Sequence, residues 1–277
     1  MKIKLIGDSL CDIPKEIKEK YDIEIIPLTI IFDDKEYKDG IDLTNDEFYK
    51  KLKESKILPK TSQITPIEFK LVFEKYLEEY DKVIYISGSS KVTGTYKSAL
   101  SAKENLNSDK IEVFDSQQLS FGYGFILFEI AKFMKDKNIE EIREKINALV
   151  DKVECIFSVE TLEYLKKGGR LSSTKAAIGT ILNIKPILKI EDGQVKQIDQ
   201  ARGSKKSIDK LIEIMINDNP CDDDIAIFSG DAGDKESILK ERLILKMQPK
   251  NIIKGTVGAT IGTHSGPGIV ALMYIKK

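Results

Sequence analysis

Val83-Ile84-Tyr85-Ile86 is followed by Ser87-Gly88-Ser89-Ser90-Lys91-Val92-Thr93-Gly94-Thr95, and then by the helix-period segment that begins Tyr96-Lys97-Ser98-Ala99-Leu100. A short unbroken apolar run is what a strand buried on both faces requires. A strand that passes through a polar turn straight into a helix is one half of a βαβ unit, the building block of a parallel sheet covered by helices. The same textures recur outward from this stretch. Upstream, Ile3–Ile6 reads as a first buried strand ending at Gly7-Asp8-Ser9, Ile23–Phe32 as extended chain, and residues 33–42 as a small hairpin or flap. Thr65-Pro66-Ile67-Glu68 is a capping box with proline at the first helical position, which predicts a helix over Pro66–Tyr80. Downstream come a helix over Thr95–Leu106, a strand at Ile111–Phe114, an apolar helix over about Gln117–Lys135 with Phe121, Phe125, Phe128 and Phe133, and a charged amphipathic helix over Ile139–Val150.

Near Lys152 the texture changes, and a chain of 277 residues is long enough for two ordinary domains. The expected division is residues 1–152, an α/β domain with a mostly parallel sheet, and residues 153–277, an α+β domain with an antiparallel sheet. In the second part Cys155–Val159 reads as a strand, and Thr161–Lys167 as a short helix stopped by Gly168-Gly169. Pro186–Glu191 and Gln194–Asp199 flank Asp192-Gly193, a two-residue hairpin signal. Helices near Lys205–Ile216 and Asp234–Met247 bracket a strand at Ile225–Phe228. The last strands, Ile252–Val257 and Ile269–Ile275, are expected to be joined by a glycine-rich turn.

Composition narrows the function classes. Lys+Arg 44 against Asp+Glu 45 leaves a net charge of −1, so no global basic field favours nucleic acid or an anionic membrane, although a local patch still permits transient membrane contact. Cys11, Cys155 and Cys221 are far apart and in no metal-ligand spacing, as expected of free thiols in a reducing cytoplasm. The opening MKIKLIGDS places a charge inside its apolar run and lacks a small-residue cleavage site, unlike a signal peptide. No apolar stretch approaches the ~20 residues of a membrane span.

A single histidine excludes H-E-x-x-H and most zinc sites, and neither a P-loop nor a dinucleotide-binding glycine fingerprint is present. Gly7-Asp8-Ser9-Leu10 spells the signature of the GDSL esterases, which would make Ser9 a nucleophile and His264 its base. That triad needs an Asp three residues before the histidine to orient the imidazole, and Ile261 stands there. Thr61-Ser62-Gln63 precedes one helix and the Ser87–Thr95 loop another. Both hydroxyl clusters are expected at the carboxyl edge of the parallel sheet, where helix N-termini favour an anionic head group. Helix capping is the plain alternative for these residues. His264, within Gly262-Thr263-His264-Ser265-Gly266-Pro267-Gly268, is structural by default, yet its flanking glycines admit close approach of a carboxylate or a phosphate. Arg170 and Arg202, each beside glycine, are either solvated charges or bidentate grips for such a group.

Taken together these segments resemble the DegV family, the fatty-acid-binding subunits of bacterial fatty acid kinase, along essentially the whole chain. The resemblance is carried by Asp8-Ser9 with Asp12-Ile13-Pro14, by Thr61-Ser62-Gln63, by Thr93-Gly94-Thr95-Tyr96-Lys97-Ser98-Ala99 and by Val113-Phe114-Asp115-Ser116 with Gly122-Tyr123-Gly124. Lys167-Gly168-Gly169-Arg170-Leu171-Ser172, Ile184-Lys185-Pro186-Ile187-Leu188 and His264-Ser265-Gly266-Pro267-Gly268 complete the order. It implies a non-catalytic carrier that encloses one long-chain fatty acid between two domains and presents its carboxylate to a separate ATP-using kinase. The implied head-group contacts are Thr61, Thr93 and His264 with Ser62 beside them, while Arg170 and Arg202 fall at head-group or kinase-docking positions. No metal or other cofactor is implied. The Phe121–Phe128 helix is a candidate wall for the lipid, with core packing as its other role. Ile64-Thr65 replace the family's usual Pro-Ser, and Thr93 replaces a serine, keeping the hydroxyl while stiffening the rotamer.

Overall fold

The computed structural model describes residues 1–172 and 183–277. In chain order the first half contains β1 (Ile3–Asp8), a 3-10 turn (Ser9–Cys11), α1 (Lys15–Lys20), β2 (Glu24–Ile26), β3 (Thr29–Phe32), β4 (Lys35–Lys38), α2 (Asn45–Glu54) and β5 (Lys60–Ser62). It continues with α3 (Pro66–Leu77), β6 (Lys82–Ser87), α4 (Thr95–Leu106), β7 (Ile111–Asp115), α5 (Ser120–Phe133) and α6 (Ile139–Lys152). The second half begins directly with β8 (Val153–Ser158), then α7 (Glu163–Lys167), β9 (Ile184–Glu191), β10 (Gln194–Arg202), α8 (Ser204–Asn217) and β11 (Asp224–Gly230). It closes with α9 (Lys235–Met247), β12 (Asn251–Thr256), α10 (Ala259–Ser265) and β13 (Ile269–Ile275).

The four-stranded sheet β2-β1-β6-β7 is parallel throughout, with Leu5 beside Ile84 and Ile84 beside Glu112. Its central strands are apolar on both faces because helices cover both. The flap is larger than a hairpin: β3 and β4 turn at Asp33-Asp34, and β5 pairs with the other edge of β3 to make a three-stranded antiparallel sheet. A six-stranded sheet, β10-β9-β8-β13-β11-β12, organises the second half. Its pairs are antiparallel except β11 with β12.

Residue parity along the central strands of that sheet divides the protein's interior. Side chains alternate between faces with period two. Ile156 of β8 and Val270, Leu272 and Tyr274 of β13 point to one face and pack with Ile208, Leu211 and Met215 of α8 and Leu239 and Leu243 of α9. Cys155, Phe157, Ala271 and Met273 point the other way, into a core shared with the first half. There Phe121 of α5 stacks on Phe228 of β11, with centroids 4.5 Å apart and planes 11° from parallel. Among the described residues no helix is long and apolar enough to cross a membrane.

Candidate functional site

A slim channel runs between the inner face of the six-stranded sheet and the loops of the first half. Its space between atoms, including that open to solvent at its mouth, totals about 710 Å³, and a water-sized sphere can move its centre through about 70 Å³ of it. That is several times the ~10–15 Å³ a single water needs. One wall is the odd-numbered set just described, Cys155, Phe157, Ala271 and Met273, extended by Ile190 of β9 and Val195 of β10. Leu10, Leu28, Val92 and Leu119 close it from the opposite side. The aromatic helix does not form this wall. Phe121 and Phe125 are fully buried in the core, and only Leu119 and Ser120 reach the channel from that segment. The first two turns of α5, Ser120–Leu127, are buried on every side, whereas the last turn reaches the surface at Glu129 and Lys132.

The polar groups gather around His264, which sits in the last turn of α10. The expected glycine-rich turn is therefore a seven-residue helix. Its glycines serve close packing: a Cβ on Gly262 would lie 2.6 Å from the Phe48 ring. His264 Nε2 is 3.0 Å from Thr61 Oγ1. Thr61 reaches it from β5 in the flap sheet, not from the edge of the parallel sheet, where the hydroxyl-cluster argument placed it. Ser62, the next residue on that strand, is exposed and does not line the channel, as strand alternation requires. Thr93 does line the channel from the loop after β6. Its hydroxyl also donates to Thr95 Oγ1 at 3.0 Å and accepts the Thr95 N–H at 3.2 Å, so it caps the start of α4 as well.

Arg170 completes the group. Its guanidinium donates to the carbonyls of Gly168 at 2.6 Å and Val92 at 3.2 Å, and among the described residues it has no carboxylate partner. Arg202 is exposed on β10, away from the channel. Burial and the neighbouring Arg170 charge hold the His264 imidazole well below its usual range, at about 4, so it is neutral at physiological pH. Nδ1 is out of reach of solvent and has no hydrogen-bond partner among the described residues. A neutral imidazole, two hydroxyls and a guanidinium without a carboxylate partner among the described residues thus lie together at the end of an apolar channel, groups able to hydrogen-bond an acidic moiety.

Ser9 belongs to a different network. Its hydroxyl accepts the Leu28 N–H at 3.0 Å and lies 3.3 Å from Thr260 Oγ1. It makes no bond to His264 among the described residues, so the Ser9–His264 pair that an ester hydrolase needs is not assembled. Sequence reasoning missed Asp39, a buried carboxylate at the end of the flap that bonds Thr260 on the His264 helix. The contact joins residues 221 positions apart and leaves no local sequence signal.

Comparisons with known proteins agree with this architecture. A DegV domain-containing protein of Caldanaerobacter subterraneus subsp. tengcongensis is 39% identical over 284 residues, covering 100% of this chain and 99% of that protein. The solved structure of a DegV family protein from Thermus thermophilus, described for its fatty acid binding, matches with TM-score 0.93 and 28% identity over 100% of both chains. Bacillus subtilis DegV, described as a fatty acid binding protein, matches with TM-score 0.88 and 31% identity over 100% of both chains. The family model described as "Uncharacterised protein, DegV family" matches residues 2–277, and the chain belongs to that family.

Proposed function

We propose that this protein binds one long-chain fatty acid, with its acyl chain in the channel and its carboxylate among Thr61, Thr93 and His264 beside Arg170. The observation that carries this reading is the pairing of an apolar channel with the uncompensated Arg170 charge at its polar end. The energetics support it. About 15 buried methylenes at ~0.8 kcal/mol each give about 12 kcal/mol gross. Association costs about 4–15 kcal/mol, so only a well-enclosed chain gives a net gain. The carboxylate must then be hydrogen-bonded, because an unpaired buried charge is far more costly than a paired one.

In this reading residues 1–152 and 153–277 act as two domains that hold the lipid between them. The protein is a non-catalytic cytoplasmic carrier that offers the carboxylate to a separate ATP-dependent kinase, which forms the acyl phosphate. Arg202, exposed and outside the channel, is then a docking residue. Native mass spectrometry of the purified protein tests the first step. A mass increment that extraction identifies as a fatty acid is expected; a protein that carries none and cannot be loaded with any refutes the reading. Acyl phosphate formed only when a kinase, ATP and the loaded protein are combined tests the second step.

A further inference from the structure

We propose that Asp39, on the flap, is a positioning residue for His264: its carboxylate caps α10 from outside and, with Asp12, fixes the helix that presents the imidazole to the head group. This deepens the fatty-acid-binding reading and rests on it for its functional consequence.

Helix α10 has seven residues, too few to be stable by itself. Its N-cap is Gly258, which has no side chain to accept the first free N–H groups. Two distant carboxyl groups supply what the sequence omits. Asp12 Oδ1 accepts the Gly258 N–H at 2.9 Å. Asp39 Oδ2 accepts the Thr260 N–H at 3.1 Å and the Thr260 hydroxyl at 2.5 Å. A Cβ at position 258 would lie 2.7 Å from Asp12 Oδ1, so glycine is what lets that carboxyl group approach.

The opposite end of the helix is held by the same flap sheet. Asp39 directly follows β4, and its own N–H donates to the Leu28 carbonyl at 3.0 Å. Thr61, on β5, holds the His264 ring at 3.0 Å. Strands β4 and β5 flank β3, so one three-stranded sheet sets both the start of α10 and the ring near its end. Only about 6 Å of helix separates Thr260 from His264, at 1.5 Å per residue. Release of the first turn therefore shifts the imidazole directly.

The single histidine makes the test clean, because it gives one set of imidazole resonances in a histidine-labelled sample. In Asp39→Ala the imidazole signals of the ligand-free protein are expected to shift or broaden, and bound fatty acid to leave about tenfold faster. Asp39→Asn, which keeps an acceptor oxygen, should restore both toward wild type. Leu239→Ala, in the core on the far side of the six-stranded sheet, should lower Tm and leave the imidazole signals in place. Should Asp39→Ala not fold, Thr260→Val, which loses the hydroxyl contacts with Asp39 and Ser9 but keeps the N–H bond to Asp39, is read in the same way. Unmoved imidazole signals in Asp39→Ala or Thr260→Val, or an Asn variant no better than Ala, overturn the inference. If the wild type retains no fatty acid, the binding reading fails, while the imidazole signals still decide the role of Asp39.

Discussion

Thr61→Val is the sharpest test of the head-group site. Valine matches threonine in shape and suits a strand, so β5 should keep its pairing with β3 and only the hydroxyl is lost. That hydroxyl makes the 3.0 Å contact with His264 Nε2, and Nδ1 already lacks a partner among the described residues. Without ligand, both ring nitrogens are then unpaired, and an unsatisfied buried polar atom costs about 1–3 kcal/mol. The value belongs near the lower end, because Thr61 and His264 are only half-buried. With ligand, the carboxylate loses a hydrogen bond of the charged kind, worth about 1.5–3 kcal/mol, or about 10- to 150-fold in affinity. That loss is small against about 12 kcal/mol of gross chain burial, so the variant should still bind, but weakly. Exchange of bound fatty acid for an isotopically labelled one, followed by native mass spectrometry, measures the effect. Release within twofold of wild type, from a protein whose Tm is also unchanged, would refute the assignment of Thr61 to the carboxylate.

The His264 imidazole of the ligand-free protein should not titrate between about pH 5 and 8, and Arg170→Gln should move its midpoint upward; a wild-type midpoint near the ordinary 6.5 removes the electrostatic account. Ala271→Phe, at a buried channel position paired with Phe157, should leave the circular dichroism spectrum unchanged and abolish co-purification of fatty acid; a variant that still carries the same ligand would show the channel to be elsewhere. Burial pushes the Asp12 carboxyl up to about 8, so the folded protein holds its proton where the unfolded chain has lost it. The stability from this group is full below about pH 3.8 and is lost as pH rises through 8, and Asp12→Asn should flatten that fall in chemical denaturation; an unchanged slope excludes Asp12 as its source. Arg202→Ala should leave fatty acid retention as in wild type while slowing a kinase-coupled transfer, and loss of retention itself would place Arg202 in the head-group site.

Elements in both halves were legible where their signals are local. The Val83–Ile86 run, the Thr65–Glu68 box and the Asp192-Gly193 turn each act within a few residues, and β6, α3 and the β9–β10 hairpin stand where they point. Helix α2 was also within reach, since Thr44 and Glu47 form a full capping box, but the flap reading ended just short of it. Helix α10 was not legible. Gly258-Ala259-Thr260-Ile261-Gly262-Thr263 has weak helix propensity, and the carboxylates that hold it come from Asp12 and Asp39 in the other half of the sequence. The channel wall was hidden for a related reason. Aromatic residues on α5 suggested a wall, whereas the wall is one face of strands whose two faces are both apolar, and composition does not say which face meets empty space.

That two-faced strand has a consequence for how the family can diversify. Along β13, positions 269, 271 and 273 meet the channel, whereas 270, 272 and 274 meet the packed helices. If the channel holds the proposed fatty acid, ligand preference and durability are written in alternate letters of one seven-residue word. Changes at the odd positions can retune the length or bend of the chain accepted while the even positions continue to hold the sheet to its helices. A slip of one residue would exchange the two sets at once, so insertions here should be excluded even where substitutions are tolerated.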